Sequence, residues 1–178
     1  MCFCIRHRFF LICSLTYFIC YLVSRLQQVN WEINVSSYKV KCHCQKVECE
    51  ISLPVSTVVQ CHCHNCRKMQ GSDYSTWVAV PNAQFKVMKG ESFLSRYEVS
   101  QRSSKSFCTQ CGTTVFAING KHFLDHKMVI LGSIELCTSE HYVSELFPQM
   151  QVYTQDKAHW VSVHPEVPVF AGENENGK

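Results

Sequence analysis

Cys61-His62-Cys63-His64-Asn65-Cys66-Arg67-Lys68 decides how this chain is read. Three thiols follow one another at C-x-C-x-x-C spacing. Ionised sulfur is a soft, strong zinc ligand, and a C-x-x-C turn brings two sulfurs to one tetrahedral ion. Three thiolates leave one corner of the tetrahedron free, which separates a reactive zinc from a closed structural one. The plainer reading, three reduced core cysteines that lie close together, is weakened by a second set in the same chain.

That set is Cys42-x-Cys44 with Cys108-Thr109-Gln110-Cys111-Gly112. The second pair reads as a zinc knuckle, with Gly112 supplying the positive φ such a turn needs. Four thiols close a tetrahedron, so Cys42, Cys44, Cys108 and Cys111 suit a structural zinc. Cys61, Cys63 and Cys66 are then left as the open zinc site, two ions per chain. Spacing alone leaves the partition open, because a C-x-C pair can exchange partners. His43, His62 and His64 are rival ligands, but on a strand they point away from their cysteine neighbours. His122 and His126, four apart, read as surface residues in a loop.

Composition agrees with a reduced, metal-bearing domain. The 178 residues suit one domain, and 46% hydrophobic content is enough for a core. A net charge of +3 without a basic stripe gives no case for specific nucleic-acid binding. Thirteen cysteines would suit a disulfide scaffold, but the count is odd and the pairs have metal-site spacing. Thiolate zinc needs reduced sulfur, so the expected location is cytoplasmic.

Residues 1–36 differ from the rest. Arg6, His7 and Arg8 precede a largely apolar run from Phe9 to Val23, and Arg25 follows. A basic start before about 7–15 apolar residues resembles a signal sequence. No small-x-small cleavage site follows, and the run is short of the ~20 residues a membrane helix needs. Two readings stand: a poorly ordered or variant extension, or a membrane-associated segment through residues 9–23 that leaves the domain facing the cytosol.

The domain reads as residues 37–170, with a polar tail at 171–178. Tyr38 to Cys44 alternates and predicts a strand with both sulfurs on one face. Glu48 to Leu53 predicts a second strand, ended by Pro54, with Cys49 as a core thiol. Ser56 to Gln60 predicts the strand that delivers Cys61, and His64 to Gln70 a short helix stopped by Gly71. Further strands are expected over Tyr74–Val80, Ser103–Phe107, Thr113–Ile118, Met128–Ile134 and Trp160–Val163. Phe85–Met88 and Phe93–Val99 read as a hairpin around Lys89-Gly90, and residues 139–151 are weakly patterned. The fold class is mainly β, small sheets stapled by zinc.

Seven cysteines in this order and spacing, with Arg67, Gly71, Phe107 and Gly112, resemble the family of glutathione-dependent formaldehyde-activating enzymes and centromere protein V. His141, Trp160, Pro168 and Phe170 fit its closing segment more loosely. The resemblance implies a β-tent, a structural zinc on Cys42, Cys44, Cys108 and Cys111, and a catalytic zinc on Cys61, Cys63 and Cys66. The long basic arm of centromere protein V has no counterpart here, and the apolar extension is a departure.

The implied chemistry is that of a carbon–sulfur lyase. A thiol such as glutathione would bind as thiolate and add to formaldehyde, giving a hydroxymethyl thioether. Arg67 and Lys68 are candidates for holding a peptide carboxylate, against a solvated basic turn. Tyr74 and His64 are the candidates for a general base. The competing class is a zinc-stapled interaction module without turnover.

Overall fold

A computed structural model of the chain describes residues 37–135 and 144–173. The calls on residues 1–36, the run at 9–23 and His141 lie outside the described residues. The described part is mostly β and contains two sheets. No helix among the described residues is long and apolar enough to cross a membrane.

The smaller sheet has strand order β1-β2-β5, from β1 (Ser37–Lys41), β2 (Glu48–Ser52) and β5 (Phe85–Lys89), all antiparallel. Its alternation is the one the sequence writes: Tyr38, Val40, Cys49 and Ile51 are buried, while Lys39 is exposed. Cys49 is a core thiol as expected, and burial pushes it up to about 12.

The larger sheet has seven strands in the order β10-β3-β4-β9-β8-β7-β6. These are β3 (Thr57–Cys61), β4 (Ser75–Pro81), β6 (Leu94–Ser100), β7 (Ser103–Cys108), β8 (Thr114–Asn119), β9 (Phe123–Ile130) and β10 (Met150–Val152). Only β10 runs parallel to its neighbour, β3. Among the described residues one α-helix, α1 (His64–Gln70), follows β3.

β4 shows why this sheet is buried on both faces. Val78 and Val80 enter one core, shared with Tyr38, Val40 and Ile51 of the smaller sheet. Trp77 and Ala79 enter a second core with Val59, Cys61, Met128 and Val152. Successive side chains point to opposite faces, so one strand serves two cores. Fully burying a Val stabilises by roughly 1.5–3 kcal/mol, which makes β4 a central support of the fold.

Four expectations need correction. The stretch 85–99 is no hairpin: β5 pairs with β2, and β6 pairs with β7 in the other sheet. Gly90, at φ 78°, and the short 3-10 turn Glu91–Phe93 carry the chain across. Trp160–Val163 is not a strand; Val161 N–H turns back to the Ala158 carbonyl at 3.0 Å, and Trp160 is 64% exposed. The first strand stops at Lys41, before its cysteines, because Gln45 takes a positive φ of 60° and the chain turns. Residues 123–130 form β9 rather than a loop, and His126 on it is half-buried, its Nε2 2.7 Å from Ser56 Oγ.

Candidate metal centres

The four-cysteine cluster is built by two turns distant in sequence. In the first, Cys42 N–H donates to the Val47 carbonyl at 3.2 Å and Gln45 N–H to the Cys42 carbonyl at 2.9 Å. In the second, Gly112 at φ 75° donates its N–H to the Cys108 carbonyl at 2.8 Å. His43 N–H donates to Thr113 Oγ1 at 3.1 Å, a bond that ties the turns together. Cys42 Sγ lies 3.6 Å from Cys44 Sγ, and Cys44 Sγ lies 3.7 Å from Cys108 Sγ. With Cys111, all four sulfurs fall within 4.8 Å of one another.

Those spacings fit a metal and not a disulfide. Bonded sulfurs sit about 2.05 Å apart. A tetrahedron with ~2.3 Å metal–sulfur bonds has edges of about 3.8 Å. All eight described cysteines are free thiols. Their acidities are split: the Thr113 hydroxyl pulls Cys111 down, to about 5. Against a backbone N–H from Lys46, burial and the three neighbouring thiols push Cys44 up, to about 11. Packed thiols do not all ionise by themselves, and a cation is the natural counter-charge.

The three-cysteine cluster is local. Cys61 ends β3, opposite Ser75 of β4 and Val152 of β10. Cys63 is the N-cap of α1: its Sγ accepts from Cys66 N–H at 3.4 Å, one of the orphan donors of the first turn. Ser75 Oγ donates to the Cys66 carbonyl at 3.2 Å, and Lys105 Nζ to the Met69 carbonyl at 2.9 Å. Gly71, at φ 62°, closes the helix with its N–H on the Arg67 carbonyl. The three sulfurs lie within 4.8 Å of one another. Bonds from Cys61 and Cys66 draw Cys63 toward the thiolate, while Cys61 is pushed up by Cys63, Cys66 and burial. The donor set is all soft sulfur, so the residues fit zinc.

Both clusters consist of cysteine alone. His43 is exposed and contributes its backbone N–H. His62 is 1% exposed, its ring 5.2 Å from that of Tyr74, and neither ring nitrogen has a hydrogen-bond partner. Burial first, then Lys157 and Arg67, hold it below the usual imidazole range. His64 is exposed and lines an open pocket of about 440 Å³ with Arg67, Lys68, Gly71, Ser72 and Asp73. Arg67 is partly committed, its Nη1 donating to the Asp156 carbonyl at 2.8 Å, whereas Lys68 is exposed. Trp160 Nε1 donates to Asp73 Oδ1 at 3.1 Å beside this pocket.

Sequence reasoning missed Tyr153. It packs in the core that holds Cys61, with Cys63 and Cys66 against the same residues, and its backbone is left-handed at φ 55°. Its hydroxyl donates to Glu173 Oε1 at 2.6 Å, and Lys121 Nζ donates to the same oxygen at 2.7 Å. No motif marks Tyr153. It arrives because β10 pairs with β3, a tertiary event that three residues of strand do not announce.

The sequence pattern of the glutathione-dependent formaldehyde-activating enzyme family matches residues 37–156. The chain belongs to that family. All seven clustered cysteines fall inside the matched span. Two cysteine clusters able to hold metal ions agree with a zinc-binding domain of the glutathione-dependent formaldehyde-activating kind. No curated protein matches the chain. Among solved structures, a crystal structure of a Rhodobacter sphaeroides protein is similar, at 21% identity and a TM-score of 0.49, over 56% of this chain and 90% of that one.

Proposed function

We propose that the chain is a zinc-dependent carbon–sulfur lyase acting on thiol–aldehyde adducts. The expected pair is glutathione plus formaldehyde, giving S-hydroxymethylglutathione, or a related sulfur compound. The observation that carries this reading is the three-thiol cluster, one ligand short of a closed site, in a chain of this family. Cys61, Cys63 and Cys66 would hold the catalytic zinc, and Cys42, Cys44, Cys108 and Cys111 a structural one. When bound at the three thiols, zinc supplies positive charge that favours the thiolate form of an incoming thiol.

The protein's own residues supply position. Cys63 caps the helix that carries Cys66, so the site is fixed by backbone bonds. Lys68, exposed at the pocket, offers a cation for the carboxylate of a peptide thiol. Arg67 serves the same field, but one of its nitrogens is spent on Asp156. His64 lines the pocket and is the better-placed candidate to exchange a proton with solvent; Tyr74 is engaged against His62. In the reaction the sulfur lone pair forms a bond to the aldehyde carbon. The carbonyl π pair moves to oxygen, and the thiol proton ends there. Reversal breaks the carbon–sulfur bond.

The test is exchange between formaldehyde and glutathione followed by NMR, with and without the zinc-loaded protein. Faster exchange with the wild type, lost in Cys63→Ser, is expected. Identical rates with and without protein would overturn the enzyme reading and leave a zinc-stapled interaction module.

A further inference from the structure

Among the described residues four strands form the outer edges of the two sheets, and two of these edges are covered by other segments of the chain. On β1, Glu135 N–H donates to the Lys39 carbonyl at 2.8 Å, and Val40 bridges to Ile134. On β10, Gln151 N–H donates to the Pro168 carbonyl and Phe170 N–H to the Gln151 carbonyl, at 2.9 and 2.8 Å. Among the described residues, β5 and β6 have no strand on their outer sides. An uncovered edge presents a row of backbone donors and acceptors that templates another strand.

The two open edges differ in charge. β5 carries Lys86 and Lys89 and no acid, so two copies of it repel. β6, Leu94-Ser95-Arg96-Tyr97-Glu98-Val99-Ser100, carries one charge of each sign around an exposed tyrosine. Tyr97 is 58% exposed, and Arg96 and Glu98 pair within the strand, Nε to Oε1 at 2.6 Å.

The ladder fixes which backbone groups of β6 face outward. β6 pairs with β7 from Leu94↔Cys108 to Glu98↔Ser104. One step earlier, Thr109 N–H donates to the Phe93 carbonyl at 2.8 Å. Hydrogen-bonded and non-bonded pairs alternate in an antiparallel ladder. Ser95 and Tyr97 therefore bond inward to β7, and Leu94, Arg96 and Glu98 turn their N–H and C=O groups outward.

We propose that β6 is a homodimer edge: a second copy of this chain pairs with it antiparallel, about a two-fold axis through Tyr97. In this register Arg96 of each copy lies opposite Glu98 of the other, in a hydrogen-bonded pair made by outward groups. Tyr97 lies opposite its symmetry mate. The patch is self-complementary, as a two-fold interface requires. Centring the axis on Arg96 or on Glu98 would set like charges face to face, and a one-residue slip would offer inward groups to outward ones.

Sedimentation equilibrium of the full chain, reduced and zinc-replete, reads the outcome. The mass should rise with concentration from 20.5 kDa toward twice that value. Arg96→Glu should return it to the monomer, a two-fold drop, and the swapped pair R96E with E98R should restore the dimer. Arg96→Pro removes only an outward N–H and should also give monomer, with the circular dichroism spectrum retained. A wild type that stays monomeric at every concentration, as another occupant of the edge would enforce, overturns the proposal. So does a dimer that survives both Arg96→Glu and Arg96→Pro.

Discussion

The two cysteine clusters belong to opposite faces of the seven-stranded sheet and are assembled in opposite ways. Cys42 and Cys108 sit in the core between the sheets, Cys42 just after β1 and Cys108 as the last residue of β7. Cys61 sits in the core on the other face, and its partners follow within the next turn of chain. A cluster that joins two sheets carries the long-range order of the fold. A cluster made by one strand end and one short helix can change its ligands without moving the rest. Under the proposed division, the first is the staple and the second is the reactive site.

The largest expected effect breaks the staple. Cys108 is fully buried, and Cys108→Ser removes one of four ligands. Structural zinc contributes on the order of 10 kcal/mol to folding, comparable to the about 5–15 kcal/mol that a domain has in total. Loss of the far-UV signature and of cooperative melting is expected. Next comes Gly90→Ala, beneath the same turn: an added Cβ would meet the Lys46 carbonyl oxygen at 1.9 Å, at φ +78°. Destabilisation of about 2–3 kcal/mol is expected from urea unfolding.

Cys63→Ser sharpens the contrast from the other side. Serine caps a helix well, so the fold and its far-UV signature should be retained while glutathione binding is lost. Equal unfolding in Cys63→Ser and Cys108→Ser would erase the difference between the clusters.

The cysteine pairs and the C-x-C-x-x-C run were legible in the sequence because spacing within a turn is local information, whereas which pairs share an ion is not. The helix at 64–70 and its stop at Gly71 were legible for the same reason, in a cap and a glycine. What lay beyond reach was pairing. Lys89-Gly90 has the chemistry of a hairpin turn, but the glycine is there because the Lys46 carbonyl packs against it, and the two flanking strands go to different sheets. β10 is three residues long and exists through its partners, Val59 to Cys61 and Val169. Gln151, buried in it, is satisfied by the carbonyls of His164 and Val167 and by His164 N–H, and no period could signal that. Trp160–Val163 has strand composition but no free edge that it reaches.

The smallest effect concerns the carboxylate that the Tyr153 hydroxyl and Lys121 hold. Lys121 and the Tyr153 hydroxyl hold the Glu173 carboxyl down, to about 2 from an ordinary 4.5. A depressed native pKa stabilises the fold above pH 4.5, and that contribution fades as pH falls toward 2. Glu173→Gln should therefore lower the urea midpoint slightly at neutral pH, and the difference should shrink as pH falls below 4.5. The pairing is exposed, so added salt should shrink the difference.

Zinc per chain, counted by elemental analysis of the reduced full-length protein and of Cys63→Ser, addresses the division of the seven sulfurs most directly. Two ions in the wild type and one in the folded variant are predicted. One ion in both proteins, or two in both, would contradict it.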